Sequence, residues 1–192
     1  MYLIRNDECE VLKLYVTGYN KQYFLREISR LTSLPLKTSQ NTVNYLTENN
    51  ILKSNLKGKH RYFRLNLENI QTKFFLLQTE IYKTMLFFEK YPFLKTFQKG
   101  LKTQSPLIVF GSFAKGTANQ GSDLDIVIIS RIKVNIPLHL LPCKMHEIRL
   151  SEAMFSKAVQ RKNALLKEIE ENHVILNNHS YFVNCMWDYY GQ

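Results

Sequence analysis

Between Leu107 and Ile129 the chain sets two short apolar runs, Leu107–Phe110 and Leu124–Ile129, around a polar segment punctuated by Gly111, Gly116 and Gly121. Short, largely β-branched runs bounded by turn residues read as buried strands. The break at Gly111-Ser112 and the polar stretch after it make a strand-turn-helix-strand unit. In the second strand successive side chains face opposite ways, so Asp123 and Asp125 point to one side and Leu124 and Ile126 to the other. Two carboxylates in one place repel each other and resist ionising together, a cost that a bound cation relieves. Mg²⁺ suits the role, because it takes one or two carboxylates and completes its octahedron with water and phosphate oxygens. Gly111 permits close backbone approach, and Ser112 adds a hydroxyl at an expected helix N-terminus, where amide N–H groups favour phosphate.

Gly111-Ser112, ten residues, then Asp123-Leu124-Asp125, with Ala114 and Gly116 in the small positions of a Gly-Ser-x-Ala-x-Gly form, resembles the signature of the polymerase-beta-like nucleotidyltransferase superfamily, and is most similar to its minimal nucleotidyltransferases. The resemblance implies transfer of a nucleoside monophosphate from a nucleoside triphosphate, ATP by preference, to a hydroxyl. It implies that Asp123 and Asp125 hold Mg²⁺ while Gly111, Ser112, Lys115 and Ser122 surround the triphosphate. It also implies a third carboxylate on a following strand. In Met145–Leu150, Ile148 and Leu150 share one face and Glu147 lies on the other, so Glu147 is the candidate to complete the metal set and to draw the proton from the acceptor. The competing reading of Glu147 is an ordinary surface residue on an edge strand. Similar minimal nucleotidyltransferases adenylylate a tyrosine of a partner toxin, which makes a toxin protein an implied acceptor. A second function stands beside this one: a transcriptional regulator whose nucleotidyltransferase domain senses nucleotide without turnover. The position of Glu147 relative to the Asp pair separates the two.

The chain has 192 residues, and its apolar share of 45% with 12% aromatics supports well-packed cores. A net charge of +10 calls for an anionic partner, nucleotide or nucleic acid. Residues 1–68 read as a domain of their own. Asp7-Glu8-Cys9-Glu10 resembles a capping box opening a helix that Gly18 stops. A second helix is expected from about Tyr23 to Leu31, with Leu25, Ile28 and Leu31 inward, and a third from about Lys37 to Asn49, with Val43 and Leu46 inward. Ile51–Leu56 and His60–Leu65 alternate as two strands around Lys57-Gly58-Lys59. Three helices and a basic hairpin resemble the winged helix-turn-helix heads of many archaeal and bacterial transcription regulators. On that reading Ser39, Gln40, Asn41 and Asn44 face outward to base edges, and Lys57, Lys59 and Arg61 lie on phosphates, helped by Lys53 and Arg64. A basic surface for a protein partner is the competing use.

Residues 69–102 form a connector. Ile70, Phe74, Leu77, Ile81, Met85 and Phe88 recur at helical steps, and Phe75, Leu76, Tyr82, Leu86 and Phe87 make a second apolar side. Burying both sides calls for a homodimer through this helix or for packing within one chain. Tyr91-Pro92 ends it, and a further helix follows. Residues 103–192 complete an α+β protein with a mixed sheet and flanking helices: Ser151 caps a helix through Phe155, Asn163–Glu171 forms another, and Val174-Ile175-Leu176 a buried strand. Asn178 stands where similar nucleotidyltransferases carry Gly.

Cys9, Cys143 and Cys185, odd in number and far apart, read as reduced thiols, and Cys143 with His146 lacks the second pair a zinc site needs. No apolar run reaches the roughly 18 residues of a membrane span and no leader pattern opens the chain, so a cytoplasmic protein is expected.

Overall fold

The structure is a computed structural model that describes residues 4–191. The first three residues of the expected 1–68 domain and Gln192 of the expected 103–192 domain lie outside the described residues. The chain divides into two compact units, one running to Glu80 and taking the chain up again from Met186, the other Ile81–Cys185.

The first unit opens with α1 (Asn6–Val16), followed by β1 (Tyr23–Phe24), α2 (Leu25–Thr32), α3 (Leu36–Glu48), β2 (Leu52–Lys57) and β3 (His60–Leu65). Glu8 anchors the start of α1, accepting from the Arg5 backbone N–H at 3.2 Å and from Arg5 Nε at 2.6 Å, so the cap falls at Arg5 and not at Asp7. Asp7 instead accepts a hydrogen bond from Thr42 Oγ1, tying α1 to α3. Tyr23 and Phe24, expected to open a helix, pair with Phe63 and Tyr62 as the third strand of an antiparallel sheet ordered β1-β3-β2. Aromatic residues accept either state, and the free edge of β3 decides for the strand. Val11, Leu12, Tyr15, Ile28, Val43, Leu46, Leu52 and Phe63 close the core, and the Tyr15 hydroxyl donates to the Phe63 carbonyl at 3.0 Å. Leu31, expected inward, is 48% exposed because α2 is only two turns long and Ile28 supplies its buried contact.

α4 (Ile70–Lys90) is one continuous helix common to both units. Its buried side carries Phe75, Leu76 and Phe87, whereas Ile70, Phe74, Ile81 and Met85 are exposed. α5 (Phe93–Gly100) follows the Tyr91-Pro92 break.

The second unit is built on a four-stranded mixed sheet of β4 (Leu107–Phe110), β5 (Leu124–Ile129), β6 (Met145–Leu150) and β7 (Val174–Asn177), in the order β6-β5-β4-β7. A five-residue helix, α6 (Gly111–Lys115), joins β4 to β5. α7 (Glu152–Arg161) and α8 (Ala164–Glu171) lie between β6 and β7, capped by the Ser151 hydroxyl and the Asn163 amide oxygen, and α9 (His179–Tyr190) closes the chain. β4 runs antiparallel to β5 and β7, while β5 and β6 are parallel. Leu107, Val109, Leu124, Ile126 and Ile128 turn toward a core with Leu94, Phe97 and Phe113, and the alternate residues Ile108, Val127, Ile129 and Ile175 are buried on the other face. Asn178 has φ of 56°, so Asn takes the left-handed position that glycine fills most easily.

Candidate active site

Strand direction brings one end of the sheet together. Because β4 is antiparallel to β5 and β5 parallel to β6, the last residue of β4 and the first residues of β5 and β6 lie side by side, with Phe110 opposite Asp125 and Asp125 opposite His146. Immediately after Phe110 the chain turns at Gly111, whose φ is 69°. A Cβ there would collide with Asp125 Oδ2, so the absence of a side chain lets the turn lie directly on this carboxylate. Ser112 follows, half-buried, and its hydroxyl makes no hydrogen bond among the described residues. α6 has only five residues, so the loop geometry contributes more than any helix dipole.

Asp123, just ahead of β5, is exposed, while Asp125 keeps 27% of its side chain open to solvent. The neighbour of Asp125 on β6 is His146, with Nδ1 3.2 Å from Asp125 Oδ1. Glu147, expected as the third acid, is instead opposite Ile126, on the other face of the sheet. There Arg149 holds it in a two-pronged ion pair, Nε at 2.9 Å and Nη2 at 3.1 Å, and this contact raises the Arg149 pKa. Parallel pairing of Asp125 with His146 decides the matter, since a shift of one residue in register exchanges the faces of a strand.

The expected phosphate-binding residues separate as well. Lys115 is paired with Glu168 of α8 at 3.0 Å, and Ser122 is engaged in its own loop, accepting from the Asn119 N–H at 2.9 Å and donating to Asn119 Oδ1 at 3.3 Å. Lys90, which the sequence offers no reason to single out, caps the end of α6 by donating to the Gly116 carbonyl at 2.8 Å. Among the described residues no three His, Cys, Asp or Glu side chains gather around one point. The chain thus offers one strand carboxylate, Asp125, beside an imidazole, with Asp123 exposed two residues earlier. That donor set fits Mg²⁺, which keeps several waters and binds one or two carboxylates together with substrate phosphates.

In the first unit the sequence-predicted nucleic-acid contacts fall into two groups. Gln40, Asn41 and Asn44 are exposed on α3, but Ser39 is fully buried with its hydroxyl turned to the Leu34 carbonyl, and it cannot meet a base edge. The helix is entered tightly from Pro35, which rotates Ser39 beneath the α2–α3 turn. Lys57, Lys59 and Arg61 are exposed on the hairpin, and Lys53 is paired with Glu68 at 2.7 Å. A groove of about 440 Å³ between α3 and the hairpin is bordered by Gln40, Asn44, Lys59 and Arg61, joined by Arg26 and His60, which the sequence reading left out.

A glycine turn is thus seated on a strand carboxylate, with a second carboxylate two residues earlier in the sequence. Residues 93–183, from the start of α5 into α9, match the family model described as nucleotidyltransferase domain. No curated protein and no solved structure matches the chain.

Proposed function

We propose that the protein is a Mg²⁺-dependent nucleotidyltransferase, moving a nucleoside monophosphate from a nucleoside triphosphate, ATP on the family resemblance, to a hydroxyl of a macromolecule. The seating of Gly111 on the Asp125 carboxylate carries this reading, because it brings the backbone of the turn directly against the carboxylate that would hold the cation. Asp123 and Asp125 are the residues that would hold the metal, which when bound neutralises phosphate charge and stabilises the attacking and leaving oxygens of an in-line displacement. The Gly111 turn would offer its backbone to the phosphates, and the free Ser112 hydroxyl would donate to one of their oxygens. As the acceptor oxygen forms its bond to the α-phosphorus, the bond to pyrophosphate breaks. The protein's task is therefore positioning and charge balance, with no covalent intermediate. On the resemblance, a tyrosine of a toxin protein is the first acceptor to test. The expected 1–68, 69–102 and 103–192 segments are proposed as the functional division, although the compact units part elsewhere, between Glu80 and Ile81 and again between Cys185 and Met186.

We further read the first unit as a DNA-binding winged helix-turn-helix. The element order α1-β1-α2-α3-β2-β3 and the groove between α3 and the cationic hairpin support it. Amides on α3 suit base edges, and the hairpin cations suit phosphates.

A second reading has an observation of its own. Glu147 is engaged with Arg149 away from Asp125, which favours a regulator that binds nucleotide as a sensor without turnover. One experiment separates the readings: incubation with α-labelled ATP and Mg²⁺ in cell extract, alongside direct measurement of ATP binding. Transfer of label to a macromolecule establishes the enzyme. Binding without label in any macromolecule establishes the sensor, and absence of both removes the nucleotide site.

A further inference from the structure

The end of the sheet opposite Asp125 holds a pocket of about 510 Å³ that nucleotidyl transfer does not use. Its size falls within the range of small-ligand sites, roughly 300–1,000 Å³. It lies where β4 begins and β5 ends, with segments 102–106 and 129–132 forming two of its sides. At 3.2–3.4 Å per residue, the steps along β5 from Asp125 to Ser130 place it roughly 16 Å from that carboxylate.

Hydrogen bonding leaves this pocket rich in donors and short of acceptors. Asn177 Nδ2 donates to the Thr103 carbonyl at 2.8 Å and to the Ser105 carbonyl at 3.0 Å, and Asn178 Nδ2 donates to the Gln104 carbonyl at 3.1 Å. The Pro106 carbonyl accepts from the Ile129 N–H at 3.0 Å. Consecutive carbonyls of the loop are thus engaged from within the fold, which also holds the loop in place. The hydroxyls keep their protons to give. Thr103 Oγ1 accepts from the Ser105 N–H at 3.0 Å, Ser130 Oγ accepts from the Ile132 N–H at 3.2 Å, and the Ser105 hydroxyl makes no hydrogen bond among the described residues.

Lys102 and Arg131, one from each segment, are exposed at the pocket, and neither forms an ion pair among the described residues. A carboxylate, that of Glu152, also borders it, so the cations are in excess. Glu152 is the first residue of α7 and Asn178 the residue before α9, so the N-terminal ends of two helices meet the same space and add their partial positive charge. The Tyr181 ring, whose centroid is 6.0 Å from that of Phe155, and Ile132 give the pocket an apolar side. A ligand that suits these groups spreads negative charge over several acceptor oxygens next to an apolar part. A phosphomonoester does this better than a carboxylate, because its three terminal oxygens, with a charge of about −1.5 to −2 at neutral pH, can use both cations and the hydroxyls at once.

We propose that this pocket binds a small organic phosphate, its phosphoryl group held by Lys102, Arg131 and the hydroxyls of Thr103, Ser105 and Ser130, at a site separate from the nucleotide site at Asp125. The proposal goes beyond the nucleotidyltransferase reading and does not rest on it.

The test titrates the full-length protein by calorimetry with phenyl phosphate, inorganic phosphate and phenol, in EDTA so that no divalent cation can hold a phosphate at Asp125. Phenyl phosphate should bind severalfold more tightly than inorganic phosphate, and phenol should not bind. Arg131→Ala and Lys102→Ala should each weaken phenyl phosphate about tenfold through loss of a charge-assisted hydrogen bond. Lys167→Ala, at an exposed cation of α8, should leave it unchanged. Ser105→Ala removes a hydroxyl and no charge, and should weaken it severalfold, which diffuse attraction to a basic surface would not produce. None of the pocket variants should change binding of ATP with Mg²⁺. Absence of phenyl phosphate binding to the wild type would overturn the proposal, as would an equal loss in Lys167→Ala. If inorganic phosphate binds as tightly as phenyl phosphate, the pocket takes the bare ion and the organic ligand is refuted. Because the titration uses neither nucleotide nor Mg²⁺, a failure of ATP to bind would sink the nucleotide site and leave this result standing.

Discussion

Gly111 and Asp125 depend on each other. At φ of 69° an alanine pays roughly 1–2 kcal/mol for the left-handed backbone, and its Cβ must also displace the Asp125 carboxylate. Gly111→Ala should therefore lower the thermal midpoint and abolish Mg²⁺-dependent nucleotide binding together. A variant with wild-type binding would show that the turn does not shape the site. Asp123→Asn and Asp125→Asn remove charge from the cation site without removing packing, so the fold should survive while transfer falls on the order of a hundredfold. Glu147→Gln belongs to the opposite class. Its carboxylate is engaged by Arg149 on the far face of the sheet, so nucleotide binding and any transfer should stay within twofold of wild type, roughly the scatter of such kinetic comparisons. A collapse of transfer in that variant alone would mean that β6 pairs in the other register.

Among the elements, the hairpin β2–β3 and helix α3 make separable predictions. Replacing Lys57, Lys59 and Arg61 with Ala should weaken all duplexes alike and make the slope of log affinity against log salt shallower by about 2.7 units if each cation meets one phosphate. Gln40→Ala or Asn44→Ala should instead cost about 1–3 kcal/mol of discrimination at particular base pairs with little change in slope. Ser39→Ala should change neither, because that residue is buried. A wild-type protein without salt-sensitive duplex binding would leave the first unit as a protein-docking surface. Helix α4 exposes Ile70, Phe74, Ile81 and Met85 along one side, with no charged residue among them, an apolar stripe that spans about 20 Å at 1.5 Å per residue. Pairing of this stripe with that of a second copy would make the expected homodimer. Light scattering should then give the mass of two chains, and Phe74→Glu with Ile81→Glu the mass of one. A wild-type monomer at tens of micromolar, far above the roughly micromolar dissociation constants of ordinary weak dimers, would eliminate this pairing.

For the molecule as a whole, the chain of α4 runs through both units, and whether binding in one biases the other is a measurable quantity. Linkage then imposes a strict condition: the factor by which ATP with Mg²⁺ changes DNA affinity must equal the factor by which DNA changes ATP affinity. Titrating each ligand in the presence and absence of the other measures both factors. Unequal factors would show that one of the measured steps is not simple binding, and two factors of one would show that the units act independently.

The order of residues alone determines a good deal of this protein. The two apolar runs at Leu107 and Leu124, the Gly111-Ser112 break between them, and the helical repeat from Ile70 to Phe88 are local patterns, set by backbone periodicity within a few residues of chain. Tertiary structure decided what depends on a partner strand or a neighbouring helix. Tyr23 and Phe24 became a strand because β3 offered an open edge, Ser39 went inward because the α2–α3 turn covers it, and Lys115 turned to Glu168 of α8. Glu147 shows the physical reason most clearly. Alternation tells which residues of β6 share a face, but only the pairing of Asp125 with His146 tells which of those faces meets the carboxylates, and that pairing is a contact across 21 positions of sequence that no periodicity within β6 encodes.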